Sequence, residues 1–233
     1  MQVAFCRRGI KIADVATEGI LKFTLFLVAG LAALSAVGMA DQNDKPLHPW
    51  MVRVRALDLV PANNSGAFDF GGTAIPADAV HLSTKAFPEV DFSYAFSKNL
   101  SAELVLTYPQ QHDVSIAGVG HIGTLTHLPP TLMGQYHYPI PNTPYDPYVG
   151  LGLNFTMVTS SSLNAAGTPL DVTKTSLGLA YELGIDYKLN ERWVVNLDFK
   201  HVNIHTNVKA AGAIVTNVDV NPNLYSIGIG YRF

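Results

Sequence analysis

Ser176-Leu177-Gly178-Leu179-Ala180-Tyr181-Glu182-Leu183-Gly184-Ile185-Asp186-Tyr187 places a large apolar residue at every odd position and a small or acidic residue at every even one. A period of two held over twelve residues is a strand with one greasy face and one polar face. The greasy face carries no charge. The opposite face sets two carboxylates among glycine and alanine, as a narrow polar interior would require.

The same alternation recurs along the chain. Trp50, Val52, Val54 and Ala56 alternate with Met51, Arg53, Arg55 and Leu57. Val90, Phe92, Tyr94 and Phe96 alternate with Glu89, Asp91, Ser93 and Ala95. Leu100 to Thr107, Val149 to Met157, Val195 to Lys200 and Tyr225 to Phe233 repeat it, and Leu128 to Tyr138 gives a weaker version interrupted by Pro129-Pro130. That makes eight strands of roughly ten residues, the length a tilted strand needs to cross a bilayer. The connections alternate in length. Residues 97–99, 139–146 and 188–192 are short; residues 61–85, 109–124, 160–175 and 205–221 are long and rich in Gly, Ala, Asn and Thr. This pattern predicts an all-β protein: an eight-stranded antiparallel transmembrane β-barrel with short periplasmic turns and longer extracellular loops. A soluble sandwich or lipocalin-like barrel would also alternate. Against it stand the charge-free apolar faces and the final Tyr231-Arg232-Phe233, which resembles the signal read by the outer-membrane insertion machinery.

The 233 residues are 48% apolar and only 14% charged, with a net charge of −3. That balance argues against disorder and against a nucleic-acid partner. Arg7, Arg8, Lys11 and Lys22 precede an apolar run from Phe23 to Val37, and Gly38-Met39-Ala40 supplies small residues for cleavage. Residues 1–40 therefore read as an N-terminal extension followed by a cleaved secretory signal peptide, with 41–233 a single outer-membrane barrel domain. Leu21-Lys22-Phe23 would begin a signal of ordinary length. Cleavage leaves a net charge of −5 and removes Cys6, the sole cysteine, so neither a disulfide nor a cysteine zinc site is expected.

With the polar faces turned inward, Arg53, Arg55, Glu89, Asp91, Glu103, Glu182, Asp186, Asp198, Lys200 and Arg232 share the lumen near the periplasm or at mid-depth. An eight-stranded barrel is only just wide enough for its own side chains. Charges there must pair or stay hydrated, so these residues are expected to form a salt-bridged plug built on Arg–carboxylate forks. Nearer the outside the inward positions Leu57, Leu59, Phe87, Val105 and Leu224 are apolar, while Gly178 and Ala180 leave room. They suggest a greasy pocket opening outward over a polar floor, from which an apolar solute would leave sideways. Pro129 and Pro130 offer the route, since neither has an N–H for the ladder. Pro88 and Pro109 add to the weakness.

Several stretches resemble the OmpW family of small outer-membrane proteins. They are Thr126-His127-Leu128-Pro129-Pro130-Thr131-Leu132-Met133, Pro147-Tyr148-Val149-Gly150 with the following Gly152-Leu153-Asn154-Phe155-Thr156, and Gly184-Ile185-Asp186-Tyr187. Trp193-Val194-Val195-Asn196, the terminal Gly230-Tyr231-Arg232-Phe233 and Val52-Arg53-Val54-Arg55-Ala56 also fit, whereas the loops, notably 160–175, do not match closely. The resemblance implies an eight-stranded barrel with a hydrophobic interior path for small apolar molecules and a lateral exit to the membrane. Its partners would be outer-membrane lipid, small apolar solutes and the insertion machinery. A structural, adhesion or receptor barrel without transport is the alternative.

An enzyme is not expected. His112, His121 and His127 lie in or near one outer connection, but no G-x-S-x-G or comparable nucleophile motif accompanies them. His201 and His205 would be ~13 Å apart on a strand at ~3.3 Å per residue, too far for one metal ion. Gly150-Leu-Gly152 and Gly228-Ile-Gly230 lie mid-strand with no helix following, so they are not phosphate loops. No cofactor, metal or catalytic residue is assigned.

Overall fold

The computed structural model describes residues 46–233; the expected extension and signal peptide, with Cys6, lie outside the described residues. Eight strands form the wall: β1 Trp50–Val60, β2 Lys85–Ala95, β3 Leu100–Leu106, β4 Thr131–His137, β5 Tyr145–Ala165, β6 Thr175–Lys188, β7 Trp193–Val202 and β8 Asn223–Arg232. Each pairs antiparallel with the next. β8 returns to β1 from Met51↔Arg232 to Val60↔Asn223, so the wall closes.

The two faces separate as the alternation requires. Leu151, Leu153, Leu177, Leu183, Leu197 and Ile227 are exposed on the outside, while Arg53, Arg55, Glu103 and Lys200 are buried inside. The three short turns share one end. Aromatic pairs ring that rim: Trp50 with Tyr94 at 4.8 Å, Tyr145 with Tyr187 at 5.3 Å and Trp193 with Tyr231 at 4.8 Å between ring centroids. Such amphipathic rings belong at a membrane interface.

The long connections contain much β-structure: Gln110–Ile116 pairs with Gly120–Leu128, β5 runs on to Ala165 and turns back as Thr168–Val172, and His205–Ala210 pairs with Ala213–Asp219. Two of these hairpins close through Ala166-Gly167 and Ala211-Gly212, with both residues at positive φ. That is the backbone a two-residue hairpin loop demands, and glycine in the second place takes it without strain. Composition hid the strands, because the apolar residues are sparse. Val114, Ile116, Leu125, Leu170, Val172 and Val218 point inward and are buried in one cluster continuous with the upper lumen. Their outward neighbours Gln111, Asp113, Thr124 and Thr126 are polar, which sets the hairpins beyond the apolar band.

The wall is not zipped evenly. Between β2 and β3 the ladder runs from Ala95↔Ser101 to Val90↔Leu106 and resumes only where the Ser83 N–H meets the Asp113 carbonyl. Among the described residues no ladder pair joins 84–89 to 107–112. Between β3 and β4 the last pair is Val105↔Thr131, and pairing resumes at Gln110↔His127. The strip Thr107-Tyr108-Pro109 thus has no ladder partner on either side. At Pro129-Pro130 the expected weakness is one-sided. The Phe155 N–H donates to the Pro130 carbonyl at 3.0 Å, and the Asn154 amide reaches the Pro129 carbonyl at 3.2 Å. Proline loses its donor but keeps its acceptor, so the pair stays fastened to β5 and is open only toward β3.

Candidate functional site

The lower lumen is a network of charges. Arg53 Nη1 lies 2.5 Å from Glu103 Oε2 and its Nη2 2.9 Å from Asp186 Oδ2. Arg55 Nη1 faces Asp91 at 3.0 Å, Glu89 at 3.1 Å and Glu103 at 3.3 Å. Lys200 Nζ lies 2.5 Å from Asp198, 3.3 Å from Glu89 and 3.4 Å from Glu182. Arg232 reaches Asp186 at 3.6 Å from the short-turn rim, where its side chain stays partly exposed. All ten charged residues expected in the lumen therefore meet in one connected group.

Neutral side chains complete it. The Tyr148 hydroxyl donates to Asp198 at 3.0 Å and accepts from Arg55 Nη2 at 3.3 Å and from the Asn196 amide at 3.0 Å. Asn196 also accepts from Arg55 Nε at 2.8 Å. Each bond satisfies a donor or acceptor that burial would otherwise penalise. Sequence reading left Tyr148 and Asn196 out of the lumen set, although both share the inward parity of their strands. Glycine makes the space: a Cβ on Gly184 would sit 2.3 Å from the Tyr148 ring.

Above this floor the lining turns apolar. Leu57, Leu59, Phe87, Val105 and Leu224 line a cavity of about 20 Å³ together with Pro129, Thr107 and His127, and Glu89, Lys200, Thr131 and Asn154 also reach it. That space holds about one water. The expected outward-opening pocket is therefore closed in this conformation, because the hairpin core packs over it. A second cavity of about 30 Å³ lies toward the hairpins, and His127 and Ile204 line both. Pro130 is buried against β5 and does not line the lower cavity.

The histidines fall into separate places. His112 and His127 stack with ring centroids 5.0 Å apart and an interplanar angle of 14°. Burial lowers both imidazoles, His127 to about 3, so they are neutral. His121 instead lies at the surface, 3.5 Å from Asp113. His201 bonds Asn223 and His205 bonds Asp219, so the two share no ligand position.

At the short-turn end a cavity of about 230 Å³ is lined by Ser101, His137, Asp146, Lys188 and Arg232 among others. His137 Nε2 is 3.0 Å from Ser101 Oγ, and its Nδ1 is 3.5 Å from Asp146. The resemblance to a hydrolase triad stops at the proton. The Gln135 amide donates to Glu182 at 2.8 Å, which turns its Oε1 to accept from Ser101 at 2.9 Å. Ser101 then accepts from His137, the reverse of what an activated nucleophile needs.

A closed wall with an apolar outer band, an aromatic rim and a charged lumen defines an outer-membrane β-barrel. Residues 49–233 match the OmpW family, and the chain belongs to that family. Outer membrane protein W of Vibrio cholerae is 33% identical over 218 residues, covering 88% of this chain and 98% of the relative. The crystal structure of OprG from Pseudomonas aeruginosa is similar with a TM-score of 0.69 at 27% identity, over 83% of this chain and 99% of that one. The solution structure of outer membrane protein W from Escherichia coli gives 0.58 at 28%, over 81% and 99%. The protein is an outer-membrane barrel with its short turns in the periplasm and its hairpins outside.

Proposed function

We propose that the barrel admits small apolar molecules from outside into the upper chamber and releases them sideways into the membrane above the charged floor. The observation that carries this reading is the unladdered strip Thr107-Tyr108-Pro109, which borders the apolar cavity on the side where Pro129-Pro130 is unfastened. Leu57, Leu59, Phe87, Val105 and Leu224 form the solute path, and Pro129 and Pro130 bound the exit. The charged group is the plug: an apolar solute cannot desolvate it cheaply. The chamber must widen for passage, which requires the hairpin core packed over it to open. Catalysis plays no part in this reading. Residues 1–40 direct export and are removed, and the strand ending in Phe233 presents the chain to the insertion machinery.

The test is flux through the refolded protein in vesicles whose outer leaflet is lipopolysaccharide, with protein-free vesicles as baseline. A small apolar compound is compared with a sugar of similar size and with small ions. Selective apolar flux supports the reading. Sugar or ion flux would make the charged floor a water path, and no flux would leave a structural or receptor barrel.

A further inference from the structure

The lower cavity of the upper chamber is mostly apolar, with Glu89, Lys200, Thr131 and Asn154 also in its lining. Thr107 Oγ1, Gln110 Oε1, His112 Nε2 and His127 Nε2 are buried with no hydrogen-bond partner. The other orphaned polar atoms among the described residues belong to charged side chains, Arg53, Asp91, Asp146 and Glu182. These four are neutral and sit together. Thr107 and His127 line the lower cavity, Gln110 is the ladder partner of His127, and His112 stacks on it.

For His112 and Gln110 the hydrogen-bonding sense is fixed by the partners they do have. His112 Nδ1 lies 2.7 Å from the Ser83 carbonyl, so it carries the proton and Nε2 is an acceptor. The Gln110 amide nitrogen donates to the Tyr108 carbonyl at 2.7 Å, which leaves Oε1 as an acceptor. A buried polar atom without a partner is costly, and a group of them beside the chamber calls for a hydrogen-bonding solute. His127 lines both cavities, as does Ile204.

We propose that this group is a hydrogen-bonding station at which the barrel selects apolar molecules bearing one terminal hydroxyl, with the chain in the chamber of Leu57, Leu59, Phe87, Val105 and Leu224. The inference rests on the uptake reading above and names its substrate class. A bare hydrocarbon leaves these atoms unpaired, and an ether offers them only an acceptor. A hydroxyl both donates and accepts, and it adds no charge.

The test compares 1-octanol with its isomer heptyl methyl ether in the same lipopolysaccharide-faced vesicles, above the protein-free baseline. Wild-type protein is expected to pass the alcohol about five to ten times faster, the effect of one or two neutral hydrogen bonds. His127→Phe and, separately, Gln110→Leu should reduce that ratio toward one while ether flux persists. Equal flux of the isomers through wild-type protein would overturn the station and leave apolar uptake standing. Flux of neither isomer above baseline would overturn both.

Discussion

Val90 and Leu106 face each other as the last ladder pair between β2 and β3. Beyond them the two strands run on unpaired until Ser83 meets Asp113. The gap begins at the upper edge of the salt-bridge network, level with the apolar cavity, since Glu89, held by Arg55 and Lys200, lines the cavity with Phe87 and Val105. The proposed sideways release rests on that arrangement: the charged floor would oppose descent, and the adjoining strip has no ladder partner to break.

Restoring donors at the prolines tests the edge of the gap. Pro129→Ala with Pro130→Ala supplies two N–H groups while keeping the carbonyls that Phe155 and Asn154 already engage. The exit edge should stiffen, and apolar flux should fall severalfold in the vesicle assay. Unchanged flux in the double variant would place the exit elsewhere.

The outward face is tested by charge. Leu183 is 58% exposed midway along β6. Leu183→Arg should cost roughly 2–4 kcal/mol of folding stability in a bilayer, read from denaturant midpoints. A midpoint equal to wild type would contradict the assignment of that face to lipid.

The floor is tested by removing one fork. Arg53 joins Glu103 on β3 to Asp186 on β6, and all three side chains are fully buried. Arg53→Met leaves Glu103 to Arg55 and Asp186 to Arg232, one cation short, and should destabilise the barrel by about 3–5 kcal/mol. It should also raise small-ion conductance, because water must then hydrate the under-compensated carboxylates. Stability and conductance at wild-type levels would remove the floor from the account.

Acid should loosen the hairpin that carries His127. Burial, and secondarily the neighbouring His112, hold this imidazole at about 3, against an ordinary value near 6.5. A histidine whose value is lowered on folding contributes fully above its unfolded value and loses that contribution as pH falls from there toward about 3. At pH 5 the loss is about 2 kcal/mol. Hydrogen-exchange protection factors across residues 110–128 should therefore fall between pH 7 and pH 5, and His127→Phe should reduce that fall, the remainder coming from His112.

The wall was legible in sequence because membrane strands must obey period two, and Leu177 to Tyr187 does so without a break. Face assignment followed, and with it the grouping of Arg53, Arg55 and Lys200 with their six carboxylates. The prolines were visible, but the missing ladder at Thr107-Tyr108-Pro109 depends on register between strands that alternation does not encode. His112 and His127 are fifteen residues apart, and only the pairing of Gln110 with His127 brings their rings together. The hairpin core escaped for a similar reason: Val114, Leu170 and Val218 are isolated apolar residues until three hairpins stand side by side.

The seam itself is open to direct control. The Phe87 and Tyr108 rings meet across it with centroids 6.2 Å apart, and no cysteine occurs after Cys6. A variant carrying Phe87→Cys and Tyr108→Cys can be bridged with a short bis-methanethiosulfonate reagent and released with reductant, while apolar flux is followed in the same vesicles. Flux should drop to the protein-free baseline on bridging and return on reduction. Flux that persists through the bridged protein would show that solutes do not leave by this seam.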